Sequence, residues 1–207
     1  MKKILLFISI IFIYQNLFSQ IGFGTIGGID LYQRYVNPKD DIAYPASGNA
    51  MLNLIYGTKV WLGTENISLS LEGQVNLGVT SFALKDFKGM GAVAFPLMAK
   101  INYRGLSMFL PGYAKGFSIG GGIQYTKTEL IFSKTYRDKG VSRSMFKTYV
   151  IEMNMGVGSF GSAGYFYVRY GFNKDTEASV FNIGVLYNIN KTYVKQHKDY
   201  IKPRNKK

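Results

Sequence analysis

Few side chains in this sequence can do chemistry, and those that can stand alone. His197 is the only imidazole and there is no Cys, which removes thiol nucleophiles, Cys-ligated metal sites and disulfide frameworks. A hydrolase or acyltransferase built on a His-activated Ser or water would have only that one residue to use. What remains is a set of single charges, Asp30, Arg34, Lys59, Glu72, Lys100, Glu152 and Arg169, each inside a stretch of alternating apolar and polar residues. Three acids face four bases. Charges removed from water are costly unless partnered, so mutual pairing is the first expectation for such a set. A gated narrow path or a bound polar ligand is the sharper alternative.

Two glycine patterns are decoys. Gly22, Gly24 and Gly27 match G-x-G-x-x-G, but no helix pattern follows, and the match lacks the strand-turn-helix context that binds pyrophosphate. Gly120-Gly121-Gly122 lies within an alternating run, where small residues relieve crowding or permit a bulge. No catalytic, cofactor or metal site is expected, and the chain is not expected to be an enzyme.

The elements that must carry the charges are strands. In Ile67 to Phe82, Ile67, Leu69, Leu71, Val75, Leu77 and Val79 alternate with Ser68, Ser70, Glu72, Gln74, Asn76 and Thr80. Successive strand side chains point to opposite faces, so this stretch has one apolar and one polar face. The same signature recurs in Gly22 to Tyr35, Leu52 to Leu62, Gly91 to Tyr103, Phe117 to Leu130, Lys147 to Gly158, Gly164 to Phe172 and Val180 to Ile189. Strands of about 9–16 residues exceed the ~5–6 usual in soluble sheets and suit a tilted membrane crossing. Aromatic residues near strand ends, Phe23, Tyr35, Phe82, Tyr103, Phe117, Tyr149 and Phe172, fit interfacial girdles.

At the start of the chain, Lys2 and Lys3 precede an apolar run from Ile4 to Tyr14 and a more polar end at Ser19. This is the layout of a secretory signal peptide, with cleavage expected after Ser19; with no Cys at the cut, no lipoprotein anchor is expected. Three segments follow: 1–19 signal peptide, 20–190 barrel domain, 191–207 basic tail. With export and an even number of strands, residues 36–50, 83–90, 131–146 and 173–179 become outer loops and 63–66, 104–116 and 159–163 inner turns. Longer outer loops and short inner turns are the asymmetry of bacterial outer-membrane barrels. Residues 104–116 are long and apolar for such a turn, so either a strand end is misplaced or a short element packs under the barrel.

Signal peptide, eight amphipathic strands and loop asymmetry together resemble the small Gram-negative outer-membrane β-barrels, the OmpA/OmpX-like and porin-like group. The resemblance covers residues 21–190 and implies an all-β, eight-stranded antiparallel up-and-down transmembrane barrel in the outer membrane. In that group the final strand usually ends the chain on an aromatic residue. Here a tail follows Asn190, which departs from the pattern.

Alternation alone does not say which face is inside. A soluble periplasmic ligand-binding barrel, lipocalin-like, would turn the apolar face inward. Against it, the polar faces carry bulky residues and sparse charge. The lumen of an eight-stranded barrel is just wide enough to be filled by side chains, so the charges are expected to plug it; a small-solute channel is the alternative.

The formal charge is +13, with 25 Lys+Arg against 12 Asp+Glu. Seven Lys/Arg and one Asp fall between Lys191 and Lys207. Such a run is solvated, or attaches to peptidoglycan carboxylates or an acidic periplasmic partner. Lys134, Arg137, Lys139 and Arg143 in the third outer loop are the candidate contacts for lipopolysaccharide phosphates in the outer leaflet. Nucleic acid is disfavoured by export. The expected role is structural or interactional, through outer loops and tail.

Overall fold

The computed structural model describes residues 20–40, 43–78, 80–82 and 89–192. The signal-peptide segment 1–19, most of the basic tail, residues 83–88 of the second outer loop and His197 lie outside the described residues.

Ten strands make one antiparallel sheet: β1 Gln20–Asn37, β2 Ala46–Met51, β3 Asn53–Gly63, β4 Ile67–Gly78, β5 Thr80–Phe82, β6 Gly89–Arg104, β7 Ala114–Phe132, β8 Phe146–Gly158, β9 Ser162–Phe172 and β10 Ser179–Asn190. They form eight staves. β2 and β3 are one stave interrupted at Leu52, whose φ is 58°, and both pair with β1. β4 and β5 continue each other in the same way, pairing with β3 and β2. Each stave pairs with the next in sequence, and β10 returns to β1 from Gly24↔Asn190 to Val36↔Ser179. Closure removes the sheet edge, so the staves' backbone groups can be satisfied within the ring.

All eight expected segments lie on these staves. The first outer loop is shorter than expected, because Ala46 to Met51 pairs with β1; it runs over 38–45 rather than 36–50. The third loop contains a short helix, α1 (Lys134–Asp138). Gln20 and Asn190 share one end of the barrel with the turns 64–66, 105–113 and 159–161, the turn end. The opposite end carries 38–45, 133–145 and 173–178, the loop end.

Alternation is realised with the apolar face outward. In β3, Asn53, Ile55, Lys59 and Trp61 are buried while Leu54, Tyr56, Val60 and Leu62 are exposed. Leu71 is 65% exposed beside Glu72 at 1%. A lipocalin-like arrangement is thereby reversed: the lumen is polar and the wall apolar. Phe23, Tyr103 and Phe117 near the turn end, with Tyr149 and Phe172 near the loop end, are exposed on the wall as girdle residues should be. Tyr35 is not one of them. It is fully buried in the lumen; the Phe82 side chain lies outside the described residues.

The exception arises from a bulge. Asp30 pairs with Gly184 and Tyr32 with Ile183, leaving Leu31 as an extra residue. One extra residue reverses the facing of everything beyond it. Ile26 and Asp30 point inward before the bulge; Gln33, Tyr35 and Asn37 do so after it. Arg34, expected in the lumen, is therefore on the exposed face.

The long turn 105–113 is the short element expected beneath the barrel. A 3-10 turn, Gly105–Ser107, tucks Leu106, Met108 and Phe109 against Ile26, Trp61, Tyr165 and Leu186. Asn190 ties it in place, donating from Nδ2 to the Met108 carbonyl at 3.4 Å and to that of Phe160 at 3.0 Å.

Candidate functional site

Inward positions from five staves build a ladder of alternating charge across the lumen. Lys59 on β3 lies 3.4 Å from Glu72 on β4. Lys100 on β6 bridges Glu72 and Glu152 on β8. Arg169 on β9 donates from Nε to Glu152 at 2.7 Å and places Nη2 2.6 Å from the same oxygen. Nη1 donates to Gln124 Oε1 at 3.0 Å and Nη2 to Gln74 Oε1 at 2.8 Å. The order base, acid, base, acid, base leaves every charge of the ladder beside an opposite one, the condition under which burial is tolerable. Gly120, opposite Lys100 in the sheet, keeps space for it: a Cβ there would sit 2.4 Å from Lys100 Cγ. The lysine, not a nucleotide, is what this glycine run accommodates. Gly24 does the same for the Trp61 ring, with a Cβ falling 2.7 Å from its edge.

Asp30 is held differently. Its Oδ2 accepts from the amides of Asn53 and Asn76, both at 3.3 Å, and of Asn182 at 3.1 Å, residues of three other staves. With Arg34 outside, the lumen set balances at three acids, Asp30, Glu72 and Glu152, and three bases, Lys59, Lys100 and Arg169, all at most 2% exposed.

A second network closes the loop end. Arg143 is buried, places Nη2 2.7 Å and Nε 2.8 Å from Glu129 Oε2, lies 3.6 Å from Asp40, and donates to the Tyr44 carbonyl at 2.7 Å. Arg143 is thus a strut between loops, not a free anion contact. The alternation does not mark Glu129, because it sits in a bulge where Gly91 faces both Glu129 and Leu130, and its own φ is 53°. Lys134, Arg137 and Lys139 are exposed. Lys139 caps the rings of Tyr44 and Tyr136 at 5.1 and 5.3 Å. Asp40 accepts from the Ser144 amide at 3.0 Å, and Lys39 pairs with Glu177 at 3.1 Å, so the first, third and fourth outer connections are tied together.

Among the described residues, no three His, Cys, Asp or Glu side chains converge to hold a metal. The arrangement neutralises charge and fills space. A closed strand ring with an apolar wall and an ion-paired interior suits hydrocarbon outside, the reverse of what water requires.

This is a transmembrane β-barrel of the outer-membrane type.

No protein-family model and no curated protein matches the chain. Solved structures do. Neisserial surface protein A is 9% identical over 83% of this chain and 97% of its own, with a TM-score of 0.45. The outer membrane protein OprG of Pseudomonas aeruginosa is 13% identical over 81% and 96%, with a TM-score of 0.44. The N-terminal β-barrel domain of Pseudomonas aeruginosa OprF is 11% identical over 80% and 99%, with a TM-score of 0.37. The fold assignment rests on this chain's own pairing and wall.

Proposed function

We propose that the chain is an outer-membrane barrel with a structural or interaction role, exerted through its outer loops and basic tail, and that it neither conducts solutes nor catalyses a reaction. The observation that carries this is the ladder Lys59, Glu72, Lys100, Glu152, Arg169, which strings buried, paired side chains from five of the eight staves through the lumen. The apolar turn at one end and the Arg143 strut at the other support the same reading. Longer connections at the loop end, with both barrel termini at the other, support placing the loop end outside and the turn end in the periplasm.

Planar-bilayer recording tests the reading: purified protein is expected to leave the membrane silent, and steady conductance steps would replace it with the channel alternative. For the loops, Lys134, Arg137 and Lys139 are the cations left to meet lipopolysaccharide phosphates. Changing all three to Gln is expected to weaken retention on immobilised lipopolysaccharide, and unchanged retention would remove that contact. The tail's proposed attachment to peptidoglycan is checked by sedimenting the full chain and a chain ending at Thr192 with cell-wall sacculi; only the full chain is expected in the pellet.

A further inference from the structure

A row of bulky side chains crosses four staves on the wall near the turn end. Tyr103 pairs with Phe117, Phe117 with Met155 and Met155 with Phe166, and all four are exposed. The Tyr103 and Phe117 rings meet at 6.0 Å and 55°. Together they line a groove of about 530 Å³, whose turn-end margin carries two cations, Arg104 and Lys115. Both are exposed, and among the described residues neither forms an ion pair. Two further wall grooves, about 570 and 490 Å³, carry no exposed cation.

We propose that this groove binds one anionic glycerophospholipid of the periplasmic leaflet, with its phosphate between Arg104 and Lys115 and an acyl chain along the aromatic row. The inference rests on the membrane orientation proposed above. Aromatic side chains of this kind sit at headgroup depth, which sets the two cations at the level of the phosphates. Basic pockets above apolar transmembrane surface recognise anionic headgroups by charge. Charge complementarity therefore selects an anionic lipid over a zwitterionic one, and the apolar groove selects a lipid over free phosphate.

The test is native mass spectrometry of the full chain folded in detergent, offered equal amounts of phosphatidylglycerol and phosphatidylcholine with matched acyl chains. With two cations at about 1 kcal/mol each, one phosphatidylglycerol is expected to be retained with a preference of roughly thirtyfold. The double variant Arg104→Gln/Lys115→Gln is expected to lose the preference while keeping the heat-dependent gel shift of a folded barrel. Lys115→Gln alone, at an exposed site, is expected to reduce it to about fivefold, since each cation contributes separately. Equal retention of both lipids by the unaltered protein, or an undiminished preference in either variant, overturns the proposal. Inorganic phosphate that displaces the lipid at millimolar concentration would show a bare anion site and overturn it too. The underlying reading fails in its own way. A Tyr113→Cys reporter that reacts with an impermeant maleimide on intact cells would put the groove in the outer leaflet, and a chain soluble without detergent would have no membrane groove.

Discussion

The lumen is filled in two ways. Its middle holds charged side chains contributed one per stave by strict alternation, whereas its turn end holds Leu106, Met108 and Phe109, delivered by a single connection folded back beneath the strands. Both fillings are buried, but they respond differently to damage. An apolar plug loses contacts in proportion to the atoms removed. A ladder leaves an uncompensated charge when one rung goes, because its neighbours stay buried.

The largest effect is expected at Glu152, which holds both Lys100 and Arg169. Glu152→Ala should cost about 3–5 kcal/mol, the range for removing one partner of a buried ion pair, read as a lower urea midpoint for unfolding from lipid vesicles. In the apolar filling, Leu106→Ala should fall at the low end of the roughly 2–5 kcal/mol range for such truncations, because a connection at the barrel mouth can collapse around the loss and no charge is orphaned. A loss there equal to that at Glu152 would erase the distinction.

Gly120→Ala sharpens the comparison from the side of space rather than charge. The added methyl meets Lys100 Cγ and the Ala99 carbonyl, and overpacking of this sort costs about 1–3 kcal/mol. The smallest effect is expected at Arg34. Facing outward after the Leu31 bulge, Arg34→Gln should change stability by no more than about 0.5 kcal/mol, as at ordinary surface sites. A loss comparable to that at Glu152 would return Arg34 to the ladder.

Those two residues mark how far the sequence could be read. Six of the seven charges expected in the lumen are there, because a period of two places them reliably wherever a strand runs without interruption. Arg34 fails because the extra residue Leu31 leaves no mark in the apolar pattern. Glu129 is missed for the same physical reason at the β6–β7 bulge. Ala46 to Met51 is small or polar at every position but Met51, and takes its strand conformation from pairing with β1 rather than from its own pattern. Arg143 has the composition of a free loop cation. Only the approach of Glu129 and Asp40 from distant segments makes it a strut, and local spacing carries no trace of that.

The staves turn their apolar side outward, and β4 offers the most direct test of that direction. The chain has no Cys, so single Cys substitutions at Ser68, Leu69, Ser70, Leu71, Gln74, Val75, Asn76 and Leu77 can each carry one spin label in lipid vesicles. Collision with dissolved oxygen, which concentrates in hydrocarbon, is expected to be high at Leu69, Leu71, Val75 and Leu77 and low at the four intervening polar positions. The opposite phase, with the polar positions in contact with lipid or the leucines shielded, would contradict the barrel described here.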